Sequence, residues 1–424
     1  MARHHPATSV PRRPTPVRTG MRTHDVDIVV AGASFAGLAA ARALRGHDVV
    51  VLDPHPVGSY ATSAGGVPLA TLEALDAAGA ASELHSHVVV HAPRSERVVS
   101  LPSPYAVIDY EMFCRLLADQ TDAPVLRRRA GGYRDGAVLT DRGPITCRAA
   151  IDASGHRAVL AASLRPGYAR RGEMGTAVEL VLRRPRGFAS GLHFYLGGDW
   201  PPGYGWAFGA GDTVRVGVGL LYAVRHANRL DDALRAMLRV AHLGSADEAL
   251  ARHGGLIPLR PRAAVVDDLF VVGDAAGQVL PGTAEGIRPA LHFATRLGAL
   301  LADALDGRCR LDDARRAYQR HVAAKAGGYR ALAITQRVLT ELPPAAAAGL
   351  VSAISPWRTT AALIDRYVRA FPIPSARTTH LTGPPITPPA PAVRASDRRP
   401  GPTRTFPPDE DRSNPAAHER SQHP

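Results

Sequence analysis

The sequence has few residues of the kinds that mark disulfide-bonded, metal-binding or membrane-spanning proteins. Its three cysteines, Cys114, Cys147 and Cys309, are far apart and form no CxxC pair. That spacing argues against a disulfide framework or a zinc site and favours a reducing compartment. No apolar run approaches the roughly 20 residues that a membrane helix needs. Because no apolar stretch follows Arg12 and Arg13, we predict no export signal and expect a cytoplasmic protein. The cysteine spacing likewise leads us to expect no bound metal.

Lysine is almost absent, although the chain is strongly basic. Lys325 is the only lysine among 51 basic residues, and the net charge is +13. The two ends, residues 1–23 and 375–424, carry +7 of that charge. Both ends are rich in Pro, Arg, Ser and Thr and lack apolar periodicity, so we predict that they are disordered. The remaining charge is too dilute for a nucleic-acid-binding surface, and we predict no nucleic-acid partner.

The sequence does contain a predicted strand that turns at once into a helix. Residues 28–31 are an apolar run typical of a buried parallel strand, and an Ala/Leu-rich segment follows from about residue 35 to 45. Between them Gly32, Ser34 and Gly37 occupy the three positions of a G-x-G-x-x-G motif, with Ser34 as the middle residue. Such a turn directs free backbone N–H groups and the positive end of a helix dipole outward, which suits a pyrophosphate.

A second predicted strand strengthens this interpretation. Val49–Asp53 ends in a carboxylate 21 residues beyond Gly32, where an acid can accept hydrogen bonds from an adenosine ribose. A glycine-rich turn alone also occurs in proteins that bind no ligand. With both features present, the sequence predicts a dinucleotide-binding unit.

The middle of the chain is strand-like. Alternation and β-branched residues predict short strands over 87–92, 97–101, 105–108, 176–182, 192–196, 204–208 and 214–221, which suggests an inserted antiparallel sheet. Apolar spacing predicts helices over 69–78, 110–119, 285–305, 312–326, 329–341 and 358–371. Tyr204, Trp206 and Phe208 alternate and therefore share one strand face, as either a core-packed face or a wall of an apolar cavity. His193 and Tyr195 on the neighbouring strand are candidate proton donors, although a structural role is common for a histidine.

A third glycine-bounded stretch completes the pattern. The string from Leu269 to Leu291 begins as a buried strand and closely resembles the second FAD fingerprint of flavoproteins related to para-hydroxybenzoate hydroxylase. Asp152-Ala-Ser-Gly155 lies between the two ends, so three motifs follow in the order of that superfamily over residues 25–300. The residues of the string that resemble the fingerprint's cofactor-binding positions are Gly273, Asp274, Pro281, Gly286 and Ile287.

Two strands narrow the resemblance to the geranylgeranyl reductase family. Gly203–Phe208 resembles the family's Tyr-x-Trp-x-Phe-Pro strand, with Gly209 at the proline position, and Val214–Gly219 resembles its Val-Gly-x-Gly strand. The chain departs from the family at Ser63-Ala-Gly65-Gly66, where many members have Cys-x-Glu-Gly. A substrate step that uses that thiol or carboxylate is therefore not expected here.

The resemblance implies an α/β fold with a Rossmann-like FAD-binding domain, an inserted, mostly antiparallel β-sheet substrate domain and C-terminal helices. It implies that Gly32, Ser34 and Gly37 hold the pyrophosphate, that Asp53 binds the adenosine ribose, and that Asp274 accepts hydrogen bonds from the ribityl chain. The helix near Gly286 would point at the flavin pyrimidine. A helix cap or turn is the alternative role for Asp274.

The predicted domains are 24–86, 109–168 and 263–330 for FAD, 87–108 and 169–262 for the substrate, and 331–374 for the C-terminal helices.

The implied function is reduction of a carbon–carbon double bond in an isoprenoid-like or other apolar substrate by hydride from reduced FAD. The candidate catalytic residues are Tyr204, Trp206 and His193. Because no second G-x-G-x-x-G unit is present, NAD(P)H, ferredoxin or another electron-donor protein would bind transiently. A monooxygenase of an aromatic or polyketide substrate and a non-redox FAD protein are the alternatives. If the substrate is a lipid, residues 345–354 and 361–371 are candidates for peripheral membrane contact; burial among the helices is the other interpretation.

Overall fold

Two eight-stranded β-sheets organise the chain in the computed structural model, which describes residues 24–61, 63–93, 95–342 and 365–373. In chain order the strands are β1 (Val26–Ala31), β2 (Val49–Asp53), β3 (Gly66–Pro68), β4 (Ala81–Ala92), β5 (Ser95–Ile108), β6 (Val125–Arg127), β7 (Ala130–Arg134), β8 (Ala137–Thr140), β9 (Ile145–Asp152), β10 (Met174–Arg183), β11 (Leu192–Leu196), β12 (Gly203–Ala210), β13 (Thr213–Leu220), β14 (Ala251–Pro258), β15 (Val265–Val266) and β16 (Leu269–Val271). The α-helices are α1 (Phe35–Ala43), α2 (Leu69–Ala74), α3 (Tyr110–Asp119), α4 (Val159–Leu164), α5 (Ala223–His226), α6 (Leu230–Val240), α7 (Ile287–Leu305), α8 (Leu311–Ala323) and α9 (Ala326–Glu341).

The first sheet has the strand order β15-β16-β9-β1-β2-β6, with the β7–β8 hairpin attached to β9. Its centre is parallel, since β1 pairs in parallel with both β2 and β9. Strand β1 is buried on both faces: Ile28 and Val30 belong to one core cluster, Val29 and Ala31 to the other. This two-sided burial explains why β1 is a continuous apolar run rather than an alternating one.

The second sheet has the order β14-β10-β13-β12-β11-β4-β5-β3 and is antiparallel except for the β4–β11 pair. One face packs against α6, where Tyr195 and Ala207 join Leu234 and Met237 in a single cluster. The opposite face carries the cluster that contains Trp206. The sequence-based prediction of an α/β fold with an inserted, mostly antiparallel sheet is confirmed.

Strands β4 and β5 are longer than the sequence pattern predicted. Instead of the three short strands over 87–92, 97–101 and 105–108, they run for 12 and 14 residues. The pairing jumps from His87 with Ser100 to His85 with Tyr105, so Pro102 and Pro104 lie in an irregular part of the ladder. A proline is tolerated there because it need not donate a hydrogen bond to the neighbouring strand.

The second sheet also begins earlier in the chain than the predicted domain boundary at residue 86. Strand β3 and the first half of β4 belong to it, since β3 pairs with β5 at Val67 and Ala106. Residues 81–86 are largely polar and partly exposed, so no apolar alternation marked them as strand. The rest of the domain division stays a prediction.

The helices agree with the apolar spacing more closely. Helix α3 has the predicted bounds and is capped by Asp109, whose side chain accepts from the Met112 N–H, whereas α2 ends at Ala74 rather than near residue 78. Residues 365–369 are helical. The rest of the predicted 358–371 helix, the 345–354 segment and both chain ends lie outside the described residues. Within the described residues, no helix is long and apolar enough to span a membrane.

Candidate active site

A cavity of about 1800 Å³ is lined by residues of both sheets. The first sheet contributes the carboxyl ends of β1, β2 and β9, where ligands of open α/β sheets bind. The second sheet contributes the Trp206 face, and residues of α9 and of 365–373 also line the cavity. Ligand pockets typically measure about 300–1,000 Å³. This cavity is therefore large enough for a dinucleotide and a second molecule together.

The β1–α1 turn is shaped by its glycines. Gly32 has φ +113°, and a Cβ there would lie 2.2 Å from the carbonyl oxygen of Ala153. A Cβ at Gly37 would lie 1.9 Å from the carbonyl oxygen of Gly32. Ser34 lines the cavity and its hydroxyl lies 2.8 Å from that of Tyr110. The turn thus brings the first N–H groups of α1, which have no helical partners, to the cavity wall.

Asp53 joins the β1–α1 turn to the turn that follows β2. Its Oδ2 accepts from the Ala33 N–H at 2.9 Å and its Oδ1 from the His55 N–H at 2.8 Å. A carboxylate has about four acceptor positions, so both oxygens can accept further hydrogen bonds from a ligand. The rings of His55 and Tyr60 stack 5.4 Å apart beside it, a contact that the sequence motifs do not mark.

Asp274 lies on a different part of the wall, against the start of α7. A Cβ added to Gly286 would come within 3.3 Å of Asp274 Oδ1. Within the described chain, no group donates a hydrogen bond to this carboxylate, and its side chain caps no helix. Burial raises the pKa of Asp274 to about 6, against the opposing effect of the Arg262 guanidinium. A desolvated carboxylate without hydrogen-bond donors lowers the stability of the fold. The capping role considered for Asp274 is therefore wrong, whereas its backbone does lie in a turn, where its carbonyl accepts from the Gly277 N–H.

Gly273, Pro281 and Ile287 also line the cavity, so every residue of the predicted cofactor set except Gly37 reaches this wall. Gly37 lies outside the wall and leaves room for the close approach of the Gly32 carbonyl oxygen.

Asp152, from the middle motif, has a structural role instead. It is fully buried and accepts from the N–H groups of Ser154 and Ala161 and from the Ser154 hydroxyl, which secures the loop into α4.

The predicted aromatic face lines the cavity. Tyr204, Trp206 and Phe208 are all in the wall, and Phe194 of β11 packs edge-on against Phe208 at 5.1 Å. The Tyr204 hydroxyl donates to the Thr283 carbonyl at 2.5 Å. Burial, followed by the charge of Glu285, raises the pKa of Tyr204, so its phenol stays protonated.

The prediction of His193 as a catalytic residue is wrong. In β11 the alternate residues Leu192 and Phe194 face the cavity, and His193 and Tyr195 therefore project from the other side of the sheet. There His193 Nδ1 lies 2.9 Å from His91 Nε2, and His193 Nε2 lies 3.2 Å from two backbone carbonyl oxygens. These contacts are those of a structural histidine.

A buried ion pair supports the aromatic face. Arg215 donates from Nε and Nη2 to Glu179 Oε1 at 2.9 and 2.6 Å, and the Trp206 indole donates to Glu179 Oε2 at 2.9 Å. Arg215 Nη2 also donates to the Ser63 carbonyl at 2.6 Å. A Cβ at Gly217 would lie 2.3 Å from the Trp206 ring, so this glycine makes room for the indole. The network joins the wall to the loop in which many family members have Cys-x-Glu-Gly.

A second buried arginine joins residues 365–373 to the cavity. Arg288 is 1% exposed and donates to both carboxylate oxygens of Glu285 at 2.7 and 2.9 Å. It also donates to the carbonyls of Tyr367 and Val368 at 2.9 and 2.6 Å, and the Tyr367 hydroxyl donates to Glu285. Sequence reasoning missed this network because its partners are about 80 residues apart.

Comparison with known proteins identifies an FAD-binding domain. The sequence matches the FAD binding domain family over residues 25–129. The digeranylgeranylglycerophospholipid reductase of Methanococcus vannielii is 36% identical over 119 residues, 28% of this chain and 30% of that protein. The menaquinone reductase of Mycolicibacterium smegmatis is 29% identical over 298 residues, 62% of this chain and 72% of that protein. The chain is an FAD-dependent oxidoreductase that is similar to reductases of the geranylgeranyl reductase family.

The fold of the chain is similar to that of a solved protein. A geranylgeranyl bacteriochlorophyll reductase-like protein from Thermoplasma acidophilum superposes with a TM-score of 0.72 at 17% identity, over 82% of this chain and 96% of that one. At this identity the likeness concerns the fold. The alignment to the Methanococcus vannielii reductase spans less than a third of that protein, so this similarity does not transfer its substrate.

The donor set of the cavity fits FAD. The crowded Gly32 turn offers backbone N–H groups to a pyrophosphate, and Asp53 offers acceptors to a ribose. Asp274 offers an unpartnered carboxylate to hydroxyl groups, and the first turn of α7 contains no acidic residue that would repel an electron-rich ring. Which of these residues binds which part of FAD stays a prediction.

Proposed function

We propose that this flavoprotein reduces a carbon–carbon double bond of an isoprenoid-like or other apolar substrate. The observation that carries the proposal is the composition of the cavity: the Trp206 face of the second sheet lines the same space as Gly32, Asp53 and Asp274. An apolar aromatic wall beside a dinucleotide site suits an apolar substrate held against the cofactor. When bound and reduced, FAD supplies the hydride.

The protein's own residues bind, orient and exclude water. Gly32, Ser34 and Gly37 form the pyrophosphate turn, Asp53 binds the ribose, and Asp274 receives the ribityl hydroxyls. The start of α7, at Gly286 and Ile287, would hold the pyrimidine ring of a bound flavin, together with Gly273 and Pro281. A helix N-terminus there favours negative charge on the reduced ring.

The aromatic wall positions the substrate, and Tyr204 is the candidate proton donor. Its phenol keeps its proton because burial raises its pKa, and its present acceptor is the Thr283 carbonyl. The Trp206 N–H is committed to Glu179, so Trp206 acts through its ring face. With His193 on the other side of the sheet, water is the remaining proton source.

The electrons come from a donor that binds transiently, either NAD(P)H or a protein such as ferredoxin. Support for this comes from the sequence, which has one G-x-G-x-x-G-like turn. Peripheral membrane contact belongs to the proposal only if the substrate is a lipid, since the segments considered for it lie largely outside the described residues.

The test is an anaerobic single-turnover experiment. The protein is loaded with FAD, reduced photochemically and mixed with prenylated lipids or quinones in turn, while flavin absorbance and substrate mass are followed. Flavin reoxidation with gain of two hydrogens at a double bond supports the proposal. Reoxidation only when O₂ is admitted, with a hydroxylated product, would replace it with the monooxygenase alternative. A non-redox role would be favoured if none of the substrates reoxidised the reduced flavin and if O₂ reoxidised it without forming a product.

A further inference from the structure

The hydroxyl of Tyr329 is buried in the cavity wall without a hydrogen-bond partner among the described residues. Tyr329 is in α9, is 5% exposed and lines the cavity. Among the residues that the structure describes, none forms a hydrogen bond with its hydroxyl group. Nearly all buried polar groups are satisfied by protein or solvent, because an unpaired hydroxyl in an apolar site destabilises the fold. This hydroxyl therefore needs a hydrogen-bond partner that the described residues do not provide.

Neighbouring tyrosines show how the chain satisfies such groups elsewhere. Tyr318 donates to the Val271 carbonyl at 3.0 Å and lies 3.3 Å from the Gln278 amide nitrogen. Tyr204 donates to Thr283, and Tyr367 donates to Glu285. Tyr329 is buried like Tyr318 but lacks its hydrogen bonds, which distinguishes it from a tyrosine that only fills the core.

The position of Tyr329 is well determined by its packing. Its backbone N–H donates to the Lys325 carbonyl at 3.2 Å, and its ring stands perpendicular to that of Phe371 at 6.1 Å. Burial, followed by the charges of Glu285, Tyr318 and Asp274, raises its pKa, while Arg288 opposes the shift. The phenol thus stays neutral and can donate a hydrogen bond. The contacts place Tyr329 near the start of α7, because the Phe371 ring beside it also lies 5.8 Å from the guanidinium of Arg288, in the first turn of that helix.

We propose that the Tyr329 hydroxyl donates a hydrogen bond to a pyrimidine carbonyl oxygen of the bound flavin, and that Tyr329 is therefore a further FAD-binding residue. The acceptor needed is an oxygen atom at the start of α7, where the proposed FAD site places the pyrimidine ring. A carbonyl oxygen of the substrate has the same chemistry, so the test separates the two sources. The inference rests on the proposed FAD site.

The Tyr329→Phe variant removes only the orphaned oxygen, and Tyr318→Phe is the matched control. In the apoprotein, Tyr329→Phe should leave the thermal midpoint unchanged or raise it, because no protein hydrogen bond is lost. Tyr318→Phe should lower the thermal midpoint, because it breaks two contacts.

FAD affinity, titrated by flavin fluorescence, should weaken about three- to ten-fold in Tyr329→Phe, the value of one hydrogen bond. The reduction potential of the bound flavin should become more negative. Tyr318→Phe should bind FAD as the wild type does.

The outcomes separate this inference from the proposed function. Wild-type protein that takes up no FAD overturns both. Wild-type binding with unchanged FAD affinity in Tyr329→Phe overturns this inference alone, and a higher KM for the substrate at unchanged FAD affinity assigns the hydroxyl to the substrate instead. A lower apoprotein midpoint in Tyr329→Phe would show that the hydroxyl had a protein partner and would also overturn it.

Discussion

The indole of Trp206 and the carboxylate of Glu179 are joined by a hydrogen bond of 2.9 Å in the cavity wall. The other oxygen of Glu179 accepts from Arg215, whose remaining donors reach the carbonyls of Ser63 and Ile108. One buried carboxylate thus links the Trp206 face of the second sheet to the loop before β3. The orientation of the indole ring depends on a charge pair whose acidic member, Glu179, lies in none of the sequence motifs.

Removing either member of this pair should destabilise the protein. Both side chains are almost completely buried, and an unpaired buried charge costs about 3–5 kcal/mol. We expect Glu179→Ala and Arg215→Ala each to lose stability of that order, measured by urea denaturation of the apoprotein. The Glu179→Leu/Arg215→Met double variant should be less destabilised than either single variant, because it leaves no unpaired charge. Additive losses in the double variant would contradict this account.

Gly32 should be indispensable for FAD binding, whereas Gly46 should not. Both have positive φ, +113° and +85°, so alanine adds backbone strain of about 1–2 kcal/mol at each. A Cβ at Gly46 meets nothing within 4 Å, but one at Gly32 would lie 2.2 Å from the Ala153 carbonyl oxygen. The flavin-to-protein absorbance ratio after purification should fall to near zero in Gly32→Ala and stay at the wild-type value in Gly46→Ala. Equal flavin content in the two variants would show that the turn is not the cofactor site.

These features differ in how well the sequence predicts them. The β1–α1 turn, helix α3 and strands β11 to β13 follow from local periodicity and glycine spacing, which act over a few residues. Which face of β11 meets the cavity depends on its register with β12 and β4, so the sequence alone does not show that His193 faces away from the cavity. The Glu179–Arg215 pair joins residues 36 positions apart, and no local pattern marks it. Tyr329 is recognised only when its neighbours are known, because its significance is a missing hydrogen bond.

Asp274 should make the apoprotein less stable as the pH rises from about 4 to about 6. Its pKa is raised from 3.8 to about 6 in the folded protein, so the folded state binds a proton more tightly than the unfolded state. Between these values the folded carboxyl must ionise in its buried site, which lowers the free energy of unfolding by up to about 3 kcal/mol. Urea denaturation of the apoprotein across this pH range should show the loss. Asp274→Asn should abolish it, and a pH profile shared by the variant and the wild type would contradict the assignment.

Substitution of Tyr204 should lower the rate of substrate-dependent flavin reoxidation, whereas substitution of His193 should leave it unchanged. The reason is that β12 and β11 present these two residues to opposite faces of the sheet. Tyr204→Phe removes the phenol in the cavity, and loss of a general acid commonly lowers the rate by about 10²–10⁴-fold. Because burial raises its pKa, Tyr204 should contribute no titration to the wild-type rate between neutral and mildly alkaline pH. His193→Gln should keep the wild-type rate of substrate-dependent flavin reoxidation, since its contacts are with His91 and backbone carbonyls. If Tyr204→Phe reacts at the wild-type rate, water is the proton source. If His193→Gln is slow but has normal stability, contacts on the face of the sheet away from the cavity affect the reaction.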